Sequence, residues 1–387
     1  MNIAFYAPMK SPHHPQPSGD RLIARNTMAV LELAGYTVTL ASSMRSWEGN
    51  GDKEAQNRIR HSAAQKTDQL FAHWAQEKNA KPGLWFTYHG YHKSPDWLGP
   101  VISKGLGIPY VLMEASHARS KPGNALWQQG LEQTQHAIAS ADLLISINRA
   151  DMEGVDRVRS EASEHHYVPP FIDITTSNRS DHARSDSTED GSGNRLLAVA
   201  MMRPGDKLQS YKILAEAMSR LETDTWHLDI VGDGVAKAEV QSLFEPLCDR
   251  QTGVENNKKI EFHGELAPLD VTELMNKADY LVWPGINEAL GMVYLEAQAC
   301  GLPVIAGQMA GTADLVKHKE SGWLVANPDA STMASAIDHA CSLDKKERSN
   351  MRDAAANYCR NRHSLSAAAK QINNALQSIN RPAQVNV

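Results

Sequence analysis

Short apolar runs alternate along the chain with stretches in which apolar residues recur at helical spacing, the order expected of a parallel sheet with crossover helices. Residues 3–7 read as a first strand. Over 21–34 the positions Leu22, Ile23, Met28, Val30, Leu31 and Leu33 follow a helical period, and Gly35 stands where a helix C-cap belongs. Further strands are expected at 36–41, 84–89, 110–113, 143–147 and 167–168. The rhythm breaks after Asp173. Residues 174–194 are almost wholly polar and hold no run that could enter a core, so an exposed, flexible linker or surface insertion is expected. A second series opens at 196–200 and continues through 227–231, 260–263, 280–283 and 304–306, and an amphipathic helix closes the chain over 364–378.

These two series set the expected domains: 1–173, an intervening stretch at 174–194, 195–362, and a 363–387 segment whose helix packs back on the first domain. The fold class is α/β, two doubly wound Rossmann-like domains facing a cleft. A chain of 387 residues suits two domains of roughly 150–200 residues each. Ligands of such sheets gather outside the carboxyl ends of the strands, so the loops after each strand carry the chemistry.

Composition narrows the classes. A net charge of −6 with no basic tail argues against a nucleic-acid binder. Cys248, Cys300, Cys341 and Cys359 lie far apart, with no CxxC pair, and read as reduced thiols of a cytoplasmic protein. Neither a signal peptide nor a transmembrane run is visible, which leaves room for peripheral contact with a membrane. No metal-ligand cluster is legible, so metal-independent action is expected.

The richest segment is 280–306. Its strand is followed by the turn Pro284-Gly285-Ile286-Asn287, and a helix is expected from about Leu290 to Cys300, stopped by Gly301 and Pro303. Gly291 near its start leaves backbone N–H groups uncovered, an anion site suited to a diphosphate. Glu288 and Glu296 bracket it, about 12 Å apart if the path is fully helical. That is too far for an acid/base pair on one bond. It suits two acceptors gripping different hydroxyl-bearing parts of one extended ligand, such as a nucleotide-sugar. Taken singly, each Glu also fits an ordinary helix carboxylate.

The run EALGMVYLEAQACGLPVIA resembles the Glu-x7-Glu signature of retaining GT-B glycosyltransferases, family 4 in particular. The segments 310–316, 321–325 and 327–329 follow in that family's order. The resemblance covers the whole carboxy-terminal domain and the amino-terminal one in outline. It implies that Glu288 contacts the donor sugar, that Glu296 holds the ribose, and that the backbone of Gly291, Met292 and Val293, with Ala289 and Leu290 beside it, cradles the phosphates. It matches Arg203 and Lys207 to cationic positions after the first strand of the domain, where a diphosphate needs compensation. Gly232, in the run Ile230 to Gly234, falls at the family's Gly-rich turn near the nucleotide.

In the first domain the loop 8–20 is rich in Pro and His, and Asp20 is a candidate cap for the helix after it. Arg21 and Arg25 then set positive charge on the first turns, against the dipole preference, which an anionic ligand, an acidic partner or simple solvation would explain. Gly19 is the one residue of this loop that matches the family's glycine pair. The missing GxGxxG counts against a nicotinamide dinucleotide. His117, in Glu114-Ala115-Ser116-His117, matches a histidine that the family keeps near the reacting sugar. His89, Tyr91 and His92 end another strand and are expected to line the acceptor side. The hinge stretch 168–173 lacks the family's Asn and Gly.

The expected function is transfer of a sugar, with retention, from a UDP- or GDP-linked donor to an unknown hydroxyl acceptor. Envelope polysaccharide or glycolipid synthesis is the class-level setting. His117, Glu288, Arg203 and Lys207 form the expected catalytic set, and no cofactor is called for. A nucleotide-sugar epimerase, a phosphorylase and a non-catalytic nucleotide-sugar binder stay open as alternatives.

Overall fold

The computed structural model of the protein describes residues 1–16, 18–117, 124–175, 194–223, 225–248 and 258–379. Of the polar stretch expected at 174–194, residues 176–193 lie outside these described residues. The chain forms two units. The first comprises Met1–Phe171 together with the helix that starts at Leu365, and the second comprises Ile172–Ser364.

The first unit is built on a parallel six-stranded sheet of β1 (Asn2–Tyr6), β2 (Thr37–Ser42), β3 (Leu84–Gly90), β4 (Tyr110–Ala115), β5 (Leu143–Ser146) and β6 (Glu164–Tyr167), in the order β2-β1-β3-β4-β5-β6. Its central strands are largely apolar and almost wholly buried, as strands covered on both faces must be, with polar residues gathered toward their carboxyl ends. β6 is half-buried and polar, and it lies three residues earlier than the apolar pattern indicated. Its Glu-His-His-Tyr sequence carries no hydrophobic signal, and Pro169 and Pro170 cannot donate to a ladder.

α1 (Gly19–Leu33) starts one residue after Ser18, whose hydroxyl accepts from the Arg21 N–H. Ser18, not Asp20, is therefore the cap, and Asp20 is released for another contact. The helix ends as expected at Gly35, with φ of +90°. The Gly35 N–H donates to the Glu32 carbonyl and the Tyr36 N–H to the Leu31 carbonyl, a Schellman closure. α2 (Lys53–Gln76) buries only Ala63, Thr67, Leu70 and Trp74, a stripe too narrow to stand out in the sequence. α3 (Gly99–Leu106), α4 (Gln128–Ser140) and α5 (Arg149–Asp156) follow in this unit, and α6 (Asp206–Ser219), α7 (Lys237–Cys248), α8 (Pro268–Lys277) and α9 (Met292–Ala299) in the second. The last helix of the chain, 365–379, lies against α1, where the Tyr36 hydroxyl donates to Asn373.

The second unit carries β7 (Asn194–Val199), β8 (Trp226–Val231), β9 (Lys258–Gly264), β10 (Tyr280–Trp283), β11 (Val304–Gly307) and β12 (Gly322–Val325). All are parallel, in the order β12-β11-β10-β7-β8-β9. The two doubly wound α/β sheets are thus borne out. β12 adds a strand that the apolar pattern had not marked. Tyr211 and Trp283 meet edge to face at 4.8 Å in its core, an arrangement worth about 0.5–1.5 kcal/mol beyond burial. The chain enters this unit at Ile172, whose N–H donates to the His363 carbonyl where the chain leaves it. Among the described residues no helix is long and apolar enough to cross a membrane.

Candidate active site

In the second sheet the winding direction reverses between β7 and β10, so the loops after these two strands open a crevice at the switch point. The loop after β10 runs from Pro284 to Gly291 and enters α9 (Met292–Ala299). Its path is not helical. Asn287 and Gly291 have φ of +51° and +53°, and Gly291 occupies the N-cap position in the left-handed region. The helix therefore begins two residues later than its sequence suggested, and the spacing of Glu288 and Glu296 cannot be taken from a continuous helix. A side chain at 291 would collide with Tyr294 and Leu315 at 2.7 and 2.9 Å. The same holds for Gly311, where an added Cβ would stand 1.9 Å from the Ala289 carbonyl oxygen.

No side chain caps α9, so its first-turn N–H groups face the crevice with the positive end of the helix dipole. Met292 and Val293 form that turn, and Ala289 and Leu290 approach it. α6 (Asp206–Ser219) fixes the approach. Ser210 Oγ accepts from the Ile286 N–H at 3.0 Å, Asp206 accepts from the Asn287 amide at 3.0 Å, and Lys207 Nζ reaches Glu288 Oε2 at 2.5 Å. Lys207 also lies 5.5 Å above the Trp283 ring. Asp206 and Ser210 were not expected as site residues; their only signal is their place beside Lys207, one residue before it and one turn after it.

Arg203 sits one turn before Lys207 in the loop after β7, with its side chain exposed. Gly232 closes β8, and a Cβ there would meet the Ala200 carbonyl oxygen at 1.9 Å, so this turn lies directly against the end of β7. Glu296, in the second turn of α9, is half-buried, and burial raises its carboxyl above the usual range. Among the described residues its carboxylate has no hydrogen bond or ion pair. The structure thus gathers Arg203, Lys207, Gly232, Glu288 to Val293 and Glu296 around one crevice.

The first unit has its own cluster at the carboxyl ends of β3, β4 and β5. His89 and Glu114 both adopt left-handed backbone, with φ of +62° and +56°. Such conformations cost about 1–3 kcal/mol for these residue types and gather at functional sites. His89 Nδ1 meets Asp20 Oδ1 at 2.9 Å. Burial alone would lower the His89 pKa, but the bond and charge of Asp20 raise it overall. Asp20, though itself partly desolvated, is held below the usual carboxylate range by His89. Burial pushes Glu114 up to about 7, against the pull of His89. Its Oε2 accepts from the Ile147 N–H at 3.3 Å. Tyr91 stacks on His89 with ring centres 5.3 Å apart, and His92 meets Trp127 edge to face.

His117 is half-buried, its Nδ1 has no hydrogen-bond partner among the described residues, and burial followed by the Arg157 charge lowers its pKa. Gly19 is the first residue of α1 and has open space where a Cβ would stand. Asp20 and Glu114 were missed as site residues, because each depends on contacts with residues far apart in sequence.

On β8 and β9, at one edge of the second sheet, His227, Asp229 and Glu261 bring ligand-type atoms within 4.8 Å of one another. Asp229 there already accepts from Arg195 at 3.1 Å and from His263 at 2.7 Å.

Residues 184–358 match the family model of glycosyl transferases group 1. They form a group 1 glycosyl transferase domain. The crevice between β7 and β10 lies within this group 1 domain, as do all its charged residues. Among curated proteins, the D-inositol 3-phosphate glycosyltransferase of Acidothermus cellulolyticus is 28% identical over 280 residues, 67% of this chain and 60% of that protein. Its counterpart in Geodermatophilus obscurus is 26% identical over 344 residues, 82% of this chain and 71% of that protein. The match with the first of these thus spans less than two thirds of that relative. The structure of Anabaena HepE in complex with UDP is similar with a TM-score of 0.67 at 18% identity, covering 98% of this chain and 100% of that one. The sucrose-phosphate synthase of Thermosynechococcus elongatus gives 0.67 at 18% identity, covering 98% of each chain. At these identities the likeness is one of fold.

Proposed function

We propose that the protein is a retaining, metal-independent glycosyltransferase that moves a hexosyl group from a UDP- or GDP-linked donor to an acceptor hydroxyl. The observation that carries this reading is the Lys207–Glu288 pair set beside the uncapped start of α9. The glycosyltransferases among its relatives support sugar transfer, and the UDP bound to HepE supports the donor class.

In this reading the α9 amides and Arg203 take the diphosphate, Glu296 accepts from the ribose hydroxyls, and Glu288 accepts from the sugar hydroxyls. Lys207 orients Glu288 and adds positive charge beside the leaving group. The bond from the anomeric carbon to the diphosphate oxygen breaks, and the acceptor oxygen bonds to the same face. The acceptor proton passes to the departing phosphate oxygen, so no protein base is required. Charge that grows on the diphosphate meets groups already fixed in position, which is the largest contribution such a site makes to rate. His117 belongs to the catalytic set, Gly19 to the donor-binding residues, and His89, Tyr91 and His92 to the acceptor side. The setting proposed is synthesis of an envelope polysaccharide or glycolipid.

The test is incubation with UDP- and GDP-hexoses and a panel of hydroxyl acceptors, with the anomeric configuration of the product read by NMR. A glycoside with the donor's configuration is expected. An inverted product overturns the retaining mechanism. Release of an epimer or a sugar phosphate without any glycoside overturns transfer itself.

A further inference from the structure

Arg21 and Arg25 occupy the first turns of α1, where the helix dipole disfavours positive charge. Their contacts explain their presence. Arg21 donates to the carbonyls of His14 (2.7 Å) and Pro15 (3.1 Å), and Arg25 donates to that of Pro12 (2.7 Å). Arg45, just beyond β2, donates to the carbonyl of Met9 at 3.0 Å. Three guanidinium groups thus pin the loop after β1 and leave their charge around it. Asp20, the carboxylate in the first turn of α1, is engaged by His89.

The same loop forms one wall of a groove of about 570 Å³, lined on the other sides by the end of β2 and by α2. Its polar lining consists of Ser11, His13, His14, Ser42, Ser43 and Lys66, and among the described residues no Asp or Glu lines it. Ser11 Oγ accepts from the His13 N–H at 3.3 Å, and Ser42 Oγ accepts from the Met44 N–H at 3.1 Å. Each hydroxyl therefore keeps its O–H for a ligand. Lys66 is half-buried and has no carboxylate partner among the described residues. The groove is rich in donors, cationic and without acidic lining, the complement of an oxyanion.

We infer that this groove binds a phosphate group carried by the acceptor, so that the acceptor is a phosphorylated polyol or sugar, free or as a lipid headgroup. The inference rests on the reading of the first unit as the acceptor side. Its residues are distinct from those of the β7–β10 crevice.

The test uses the full chain in excess UDP, which keeps phosphate from the loops after β7 and β10. Inorganic phosphate and glucose 6-phosphate are titrated calorimetrically, and vesicles of phosphatidylcholine with and without phosphatidic acid are co-sedimented. Wild type is compared with Lys66→Glu and with Arg58→Glu, which makes the same charge change at an exposed position of α2. Saturable binding that weakens about tenfold or more in Lys66→Glu, and stays within about twofold in Arg58→Glu, is expected. Binding of glucose 6-phosphate would identify a soluble acceptor; Lys66-dependent binding only to acidic vesicles would identify a headgroup. No binding of any probe, or binding equal in wild type and Lys66→Glu, overturns the inference. Transfer to a neutral acceptor, at equal rates in wild type and Lys66→Glu, would leave the transferase standing without the groove. Lys66-dependent phosphate binding in a chain that consumes no nucleotide-sugar would leave the groove standing without the transferase.

Discussion

The carboxyl ends of the two sheets are built on different principles. In the second unit the crevice is shaped by backbone. Gly291 and Gly311 allow approaches that no side chain would tolerate, and α6 holds the loop through Ser210, Asp206 and Lys207. Two of its charges come in a settled Lys207–Glu288 pair. In the first unit the corresponding place is shaped by titratable groups: Asp20, His89 and Glu114 share a small volume, and two of them sit on left-handed backbone. The first arrangement suits a ligand of fixed shape and charge. The second responds to protonation, which suits recognition of hydroxyl groups that both donate and accept.

The contrast can be broken most sharply at Glu288. Glu288→Ala should lower kcat by about 10²–10³-fold while circular dichroism and the unfolding midpoint stay near wild type. Normal turnover in the folded variant would remove the second unit's claim to the chemistry.

Glu114 tests the other side. Its raised carboxyl keeps a proton in the folded state that the unfolded chain releases near pH 4.3. Between there and about pH 7 the folded state binds more protons, so stability falls as pH rises and levels off above. Glu114→Gln should remove that fall, gaining on the order of 2 kcal/mol over wild type between pH 4 and pH 8 in urea titrations, after allowance for partial exposure. Parallel pH profiles would mean that the first unit's cluster is not titratable in this range.

Gly311→Ala should destabilise by about 1–3 kcal/mol in denaturant melts, because the added methyl group must displace the Ala289 carbonyl. An unchanged midpoint would show that the loop is not shaped by this approach. The smallest effect is expected at Glu296. Glu296→Gln should raise KM for the donor about tenfold and leave kcat nearly unchanged, since a ribose contact binds ground and transition states alike. A drop in kcat alone would assign it a different role.

How much could be read beforehand follows the same division. The second unit's crevice was legible because its parts are consecutive: Glu288, Gly291 and Glu296 lie in one run, and Gly301 and Pro303 mark its end. What the run did not reveal is that the helix waits until Met292, since a left-handed Gly291 looks the same in sequence as a helical one. The apolar strands were legible to within a residue or two. The polar β6 and the short β12 were not, and neither was α2, whose buried stripe is interrupted by Thr67 and small residues. The first unit's cluster joins Asp20 to His89 across 69 positions, and no local period encodes such a contact. Ser18 displaced Asp20 as the cap because its hydroxyl sits one residue ahead of the first turn, which freed Asp20 to reach His89.

The central claim is that the loops after β7 and β10 grip a nucleoside diphosphate. Its most direct test is calorimetric titration of the wild-type chain and of Arg203→Ala with UDP, GDP and ADP, together with their thermal unfolding. One nucleotide should bind wild type at one site and stabilise it by about 2.7 kcal/mol at 100 times its Kd, with affinity reduced about tenfold in Arg203→Ala. No binding by any of the three, or equal affinity in both proteins, would contradict the account.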